Sequence, residues 1–327
     1  MITLLMMGGN AQASAEQITL TGLDLHDGTM VQDGSSLYLY GTEYGCGFTW
    51  GENGTPWCGF GVATSRDVAG PWKKKHLLFS PRTKIKATGW TGDNGKTWGQ
   101  MCGLNGAGCF NARMVRTRNK WLLWFNSPGD KGRHSNPYWV MTCHGPAGPC
   151  GNPHKPAIYG CYGGSDFSIA VDATKGYLVC SGSNRIIGIE QLAAGMTNGT
   201  KHFVANVSDS EAEGVGIYHT GKEYVATYSV PNCGYCSGTE AASPGAAEVQ
   251  TGYSTAPSLG GPWTDEGVMP GGYCTGQPRT AFKVKGIPYE WVDEWEGTPN
   301  ETAAAILLVP MTMSPWSCAS QDNPQPQ

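Results

Sequence analysis

Charge is scarce in this chain. Only 15% of its 327 residues are Asp, Glu, Lys or Arg, and the formal net charge is −4. Nucleic acid or an anionic membrane as the main partner calls for a basic face, so this balance argues against both. No apolar run reaches the roughly eighteen residues a membrane-spanning helix needs. Several enzyme signatures are missing too. The seven histidines never take HExxH spacing, no Walker loop or dinucleotide-binding glycine fingerprint follows a strand, and Gly-X-Ser-X-Gly does not occur.

Turn formers and aromatics are abundant instead. The chain has 48 Gly, 12 Trp and 14 Tyr, a mixture that suits many short strands rather than long helices. Helical periodicity shows only weakly, around Gly188 to Gly195. Twelve cysteines fall largely into local couples: Cys46 with Cys58, Cys102 with Cys109, Cys143 with Cys150, and Cys233 with Cys236. Such couples suit loop-stapling disulfides in an oxidising compartment, and the chain reads as secreted. The partners of Cys161, Cys180, Cys274 and Cys318 stay open. Cys233-Gly-Tyr-Cys236 lacks a second pair for zinc and a βαβ context for redox work, so a structural disulfide is expected there. At the N-terminus a short apolar run precedes Ala13-Ser14-Ala15, which looks like a signal-peptidase site. Residues 1–16 are therefore read as a signal-peptide remnant or a disordered start. Asn53, Asn198, Asn206 and Asn300 open glycosylation sequons.

No proline-rich or charged linker divides the chain, so one domain is expected over 17–318, with a disordered tail at 319–327. A unit recurs inside it. A polar loop leads to a strand, a Gly/Asn turn and a second strand with an aromatic near its start. The second strands are Ser36–Tyr40, Lys120–Phe125, Gly176–Cys180, Glu223–Tyr228 and Pro288–Val292. Third strands at Gly61–Ser65, Val140–Cys143 and Gly252–Thr255 run towards Gly70-Pro71, Gly145-Pro146 and Gly261-Pro262. Five such units spaced by roughly 50–80 residues predict an all-β, five-bladed β-propeller. Its last blade would come from about residues 270–315, completed by a strand near Gln17 to Thr21.

In a propeller the inner strands begin at one mouth of the central channel. Their entrances here are Asp24–Gly28, Phe110–Arg113, Ser165–Ser168, Glu211–Gly214 and Gly276–Arg279. Three carry carboxylates. One Asp before a strand is usually a turn cap, but three aimed into one channel repel one another unless that charge is put to use. Arg113 and Arg279 would offset it.

With His26-Asp-Gly-Thr-Met30 running into Leu37–Thr42, the strand Ser165–Asp172, Glu213-Gly214 ahead of Tyr224–Ser229, the Gly-Pro-Trp turns, Gly276–Arg279 and Asp293-Glu-Trp295, the sequence resembles the five-bladed glycosidases of families 43 and 62, most closely family 43. The resemblance spans about residues 20–315. It implies a secreted, monomeric, inverting exo-glycoside hydrolase acting on an oligo- or polysaccharide. Asp27 would be the general base, Asp166 the residue that tunes pKa and orientation, and Glu213 the general acid. Asp24 and Glu211 are the alternatives; Glu213 is preferred because Gly214 follows it, and Asp27 because it stands next to its strand. His26, Arg113, Gln277 and Arg279 would bind substrate through polar contacts, and Trp295 joins the substrate-binding set. Tyr44, Phe48, Trp50 and Trp57 would stack on sugar faces or else form the core of a loop pinned by Cys46 and Cys58. Gly28 and Val215 stand where the family usually has proline. The expected substrate is a terminal furanoside, α-L-arabinofuranose or β-D-galactofuranose, with β-1,3-galactan or a β-xyloside next and a non-catalytic sugar-binding propeller as the rival. No cofactor is required. Relatives include propellers with a calcium or other ion in the channel, and no ligand set here identifies one.

Overall fold

A computed structural model describes residues 17–49, 52–88, 93–103, 108–127, 137–161, 166–172, 174–181, 186–208, 212–230, 250–269, 277–294, 301–312 and 317–318. Four antiparallel four-stranded sheets follow one another along the chain, each built from consecutive strands. The first blade holds β2 (His26–Asp33), β3 (Ser36–Thr42), β4 (Phe60–Ser65) and β5 (Lys73–Leu77). The second holds β6 (Phe110–Arg116), β7 (Trp121–Asn126), β8 (Tyr138–Cys143) and β9 (Cys150–His154). In the third are β10 (Phe167–Asp172), β11 (Lys175–Ser181), β12 (Ile187–Leu192) and β13 (Gly199–Ser208). The fourth has β14 (Glu213–His219), β15 (Tyr224–Val230), β16 (Gln250–Ala256) and β17 (Thr264–Val268). The fifth blade combines β18 (Gln277–Val284), β19 (Ile287–Glu294) and β20 (Ala305–Thr312) with β1 (Ile18–Leu20), and the short β21 (Ser317–Cys318) also pairs with β20. Five blades form the propeller, with β1 completing the last one as the repeats predict.

The inner strands pack side by side in a ring, β2 beside β6, then β10, β14 and β18, which returns to β2. Middle strands such as β3, β7 and β11 are continuously apolar because they are covered on both faces by neighbouring blades. One hydrophobic cluster fills each of the five seams. The seam between blades one and two is the most aromatic, with Phe60, Phe79, Trp98, Phe125 and Trp139 in edge-to-face or tilted contacts. Trp98 opens the single short α-helix among the described residues, α1 (Trp98–Cys102), whose capping box joins Thr97 and Gln100.

Two expectations change. Gly188 to Gly195 is not helical but supplies β12 and the turn after it, with Ile187 and Ile189 both buried. A short apolar run satisfies either period, and the sheet decides. The Gly-Pro step of the second blade that matches Gly70-Pro71 and Gly261-Pro262 is Gly148-Pro149 rather than Gly145-Pro146. Disulfides join Cys46–Cys58, Cys102–Cys109 and Cys143–Cys150 as expected, and a fourth joins Cys161–Cys180. Cys233, Cys236, Trp50, Glu211 and Trp295 lie outside the described residues.

Candidate active site

Three of the inner strands begin with the same irregularity. In blade one His26 pairs with Thr42 and the next pair is Thr29 with Tyr40, so two residues on β2 bulge out of the ladder. Blade two repeats this between Phe110 and Arg113, and blade four between Glu213 and Gly216. The first bulged residue in each is left-handed: Asp27 at φ 55°, Asn111 at φ 60° and Gly214 at φ 63°. Asp, Asn and Gly are the residue types that tolerate this region, so local backbone chemistry selects the kind of side chain at the mouth. The carboxylates therefore do not occupy strictly equivalent positions. Asp27 sits on the bulge, Glu213 one place before it, and Asp166 just ahead of β10.

The bulges turn these groups into one buried cluster. Arg279 Nη2 lies 2.7 Å from Asp27 Oδ1 and 3.1 Å from Asp166 Oδ1, so one guanidinium nitrogen ties two blades' carboxylates together. It also donates to Asn111 Oδ1 at 3.1 Å. Asn111 Nδ2 donates to Asp166 Oδ1 at 2.9 Å, and the backbone N–H of Gly214 donates to Asp166 Oδ2 at 2.9 Å. That last bond places Asp166 against the residue following Glu213. Glu213 is buried, and its charge acts on Arg279, whose guanidinium is held strongly protonated against the cost of burial by Asp166, Asp27, Asp293 and Glu213.

Asp27 is further held from behind. Tyr44 donates its hydroxyl to Asp27 Oδ2 at 2.9 Å, and the Asp27 N–H donates to Asp293 Oδ2 at 2.8 Å. Asp293 Oδ1 in turn faces His26 Nδ1 and accepts from Trp291 Nε1, both at 3.1 Å. Burial pushes the Asp27 carboxyl above its ordinary range; Arg279 opposes the shift and the Asp293 charge adds to it. For Asp166 burial acts the same way but loses to Arg279, Asn111 and the Gly214 amide, which hold it below that range. Burial lowers the His26 pKa, yet the Asp293 partner wins and the net shift is upward.

Several candidate roles change with this geometry. Arg113 is no hydroxyl donor for a sugar. Its five N–H groups are met by the carbonyls of Asp27, Gly28, Phe167 and Arg279 and by Asn111 Oδ1, so it buckles β2, β10 and β18 across the channel. His26 is 0% exposed and supports Asp27 rather than facing a ligand. Tyr44 does not offer a stacking face; with Phe48, Cys58 and Ala304 it forms a buried cluster, and Trp57 is buried in the first seam. Tyr44 and Phe48 thus take the reading of a disulfide-pinned core. Asp24 is the cap of that loop, accepting from the N–H groups of Tyr44 at 2.8 Å and Gly45 at 3.0 Å. Gln277 is buried opposite Asp293 at the start of β18. Asn111 and Asp293 were not singled out as site residues. Both carried a signal: the φ-tolerant residue type of Asn111 recurs at the bulge, and Asp293 opens the Asp293-Glu-Trp295 motif, although only the fold brings it 266 residues back to Asp27.

A channel cation does not fit this centre. Among the described residues no group of three or more His, Cys, Asp or Glu could hold a metal, and the Arg279 guanidinium already bridges the Asp27 and Asp166 carboxylates.

No protein-family model and no curated protein matches the sequence. Solved structures do. An exo-β-1,3-galactanase from Phanerochaete chrysosporium with galactose superposes at TM-score 0.65 and 18% identity, covering 91% of this chain and 63% of that one. The fold is shared with that enzyme. A family 43 β-1,3-galactosidase with galactodeoxynojirimycin gives TM-score 0.69 at 15% identity, covering 92% and 95%. An exo-β-1,3-galactanase from Clostridium thermocellum gives 0.65 at 14% identity, covering 90% and 63%. The chain thus spans a little under two-thirds of the length of both exo-galactanases.

Proposed function

We propose that the protein is a secreted, inverting, exo-acting glycoside hydrolase whose substrate is a β-1,3-linked galactan. One observation carries the catalytic reading: carboxylates from three blades converge on one channel mouth, two bridged by Arg279 and the third beside it. A lectin has no need of such a buried cluster of like charges, which costs stability. In this reading Asp27 is the general base. Arg279 holds its Oδ1 and the Tyr44 hydroxyl its Oδ2, and each oxygen keeps a second lone pair with which to accept a proton from water. Glu213, on the facing blade, is the acid that protonates the leaving oxygen, and the ionised Asp166 stands against Gly214, the residue that follows Glu213. An inverting pair stands about 6.5–9.5 Å apart, with the water between base and sugar.

Galactan is favoured over the furanosides expected from sequence because the structural neighbours are named for β-1,3-galactan chemistry. One of them, with a glutamate replaced by glutamine, was solved with β-1,3-galactotriose. The four disulfides suit an extracellular setting. The test is a substrate panel of β-1,3-galactooligosaccharides, nitrophenyl arabinofuranoside, galactofuranoside and xyloside, with proton NMR of the first sugar released. Galactose of inverted configuration is expected. Release of arabinose or xylose alone would overturn the substrate, and binding of all panel members without turnover would overturn the enzyme.

A further inference from the structure

Residues 66–86 break the charge pattern of the rest of the chain. They contain Arg66, Lys73, Lys74, Lys75, Arg82, Lys84 and Lys86 against one acid, Asp67, while the remainder carries 25 acidic and 15 basic residues. All seven are exposed. Lys74 pairs with Glu43 at 3.1 Å and reaches Asp24 at 4.0 Å. Among the described residues none of the other six pairs with a carboxylate. Strand alternation within the first blade sets where this stretch leads. β2 runs away from the mouth, β3 returns, β4 runs away, and β5 returns. The basic strand β5 therefore climbs the outer edge of the blade, and the segment carrying Arg82, Lys84 and Lys86 continues from its mouth-side end. Lysines on an edge strand do discourage edge-to-edge pairing, but that purpose ends with β5 and leaves Arg82, Lys84 and Lys86 unexplained.

We propose that this edge is a docking surface for a polyanionic polysaccharide, one bearing carboxylates such as uronic acids, and that it leads the polymer towards the channel mouth. The proposal rests on reading that mouth as a sugar site. Unpaired cations facing solvent are available to an acidic chain, and their summed field acts over several ångströms at low salt. A lipid surface fits less well. Leu78, Phe79 and Ile85 are buried, and the exposed large apolar residues, Tyr159, Val171, Phe203 and Val268, all lie on other blades or in other loops.

The experiment compares wild type with the quadruple variant Lys73→Glu, Lys75→Glu, Arg82→Glu, Lys84→Glu in affinity electrophoresis through polygalacturonate and through neutral galactan. Wild type should be retarded by polygalacturonate in low salt and released as salt rises, and the variant should bind at least about tenfold more weakly. Binding to neutral galactan, and turnover of a small aryl glycoside, should be the same for both. A milder Lys→Gln set, checked by thermal melting, covers a failure of the reversed-charge variant to fold. Equal retardation of wild type and variant, or none of wild type, would overturn the proposal. So would equally tight, equally salt-sensitive binding to duplex DNA or to phosphatidylserine vesicles. Failure of the hydrolase reading is visible separately, as a lack of turnover with polygalacturonate binding intact.

Discussion

Asp27 carries its carboxyl on a left-handed backbone position, at φ 55°, and that conformation persists because the surroundings over-determine it. Its N–H is taken by Asp293, its carbonyl by Arg113, and its two oxygens by Tyr44 and Arg279. With Asp27 as the base, Asp27→Asn should cut turnover roughly 10²–10⁴-fold with the melting curve preserved, since the amide keeps the shape but cannot take the proton. Because the Asp27 pKa is raised by burial, the acid limb of the rate profile should lie above the ordinary carboxylate value of 3.8. A limb at or below 3.8 would assign the titration to another group. Asp293 is wholly buried and holds the Asp27 N–H, so Asp293→Asn should lower kcat roughly 10- to 100-fold through misplacement of Asp27 while KM stays nearly constant. Stability of this cluster has its own pH sense. Asp166 has a lowered folded pKa, so its contribution is present above 3.8 and is lost as pH falls through the folded value.

At the scale of the strand, two glycines set what the bulges can accept. A Cβ on Gly28 would lie 1.7 Å from the Tyr40 carbonyl oxygen, and one on Gly214 would lie 1.7 Å from the Pro278 carbonyl oxygen at a φ of 63°. Gly28→Ala and Gly214→Ala should each destabilise by more than about 3 kcal/mol or prevent folding, read as loss of soluble protein or a large fall in Tm. Gly28 also accounts for a departure from the family pattern noted in the sequence: at this bulge the chain passes too close to β3 for any side chain. The strands themselves were legible because the aromatic second strand repeats five times and alternation fixes which face is buried. The roles of Arg113, His26 and Tyr44 were not. Arg113 depends on which carbonyls the bulges turn inward, and His26 and Tyr44 on which carboxylates the fold brings beside them, and no local pattern encodes either. Between blades four and five Glu290 is wholly buried beside Thr227, and burial raises its pKa well above the ordinary 4.5. A raised folded pKa means its stabilising share is complete below 4.5 and is lost as pH rises through the folded value. Glu290→Gln should therefore stabilise the fold at neutral and alkaline pH by on the order of 1–3 kcal/mol, read as a higher Tm, and lose that advantage in acid. Equal gains at pH 4 and pH 8 would show that packing, not ionisation, is responsible.

Across the whole molecule, the ring closes by pairing chain segments that are far apart. β1 joins β20 with Ile18 opposite Leu308 and Leu20 opposite Ile306, so the fifth blade is complete only when residues near the N-terminus return to it. This was readable in outline, since four of the blades are local in sequence and the fifth, with only three strands of its own, lacks an outer strand. Leu20 is buried in the seam between blades five and one, with Leu25, Leu39, Trp291 and Leu308 in the same cluster. That seam also backs Asp293 and His26, so closure and the proposed base share a wall. Leu20→Ala should cost about 2–5 kcal/mol, as expected for a truncated core leucine. Removal of residues 1–21 should go further, exposing the β20 edge and the seam together, with a lower Tm and a loss of turnover that follows the melting curve. The site on the facing blades gives the control. Asp166 and Glu213 sit on blades three and four, away from the closure, so ligand binding that depends on them should fail only when the ring opens. A truncated protein that melts within about 1 °C of the full chain would mean that the seams alone hold the ring and that β1 is dispensable.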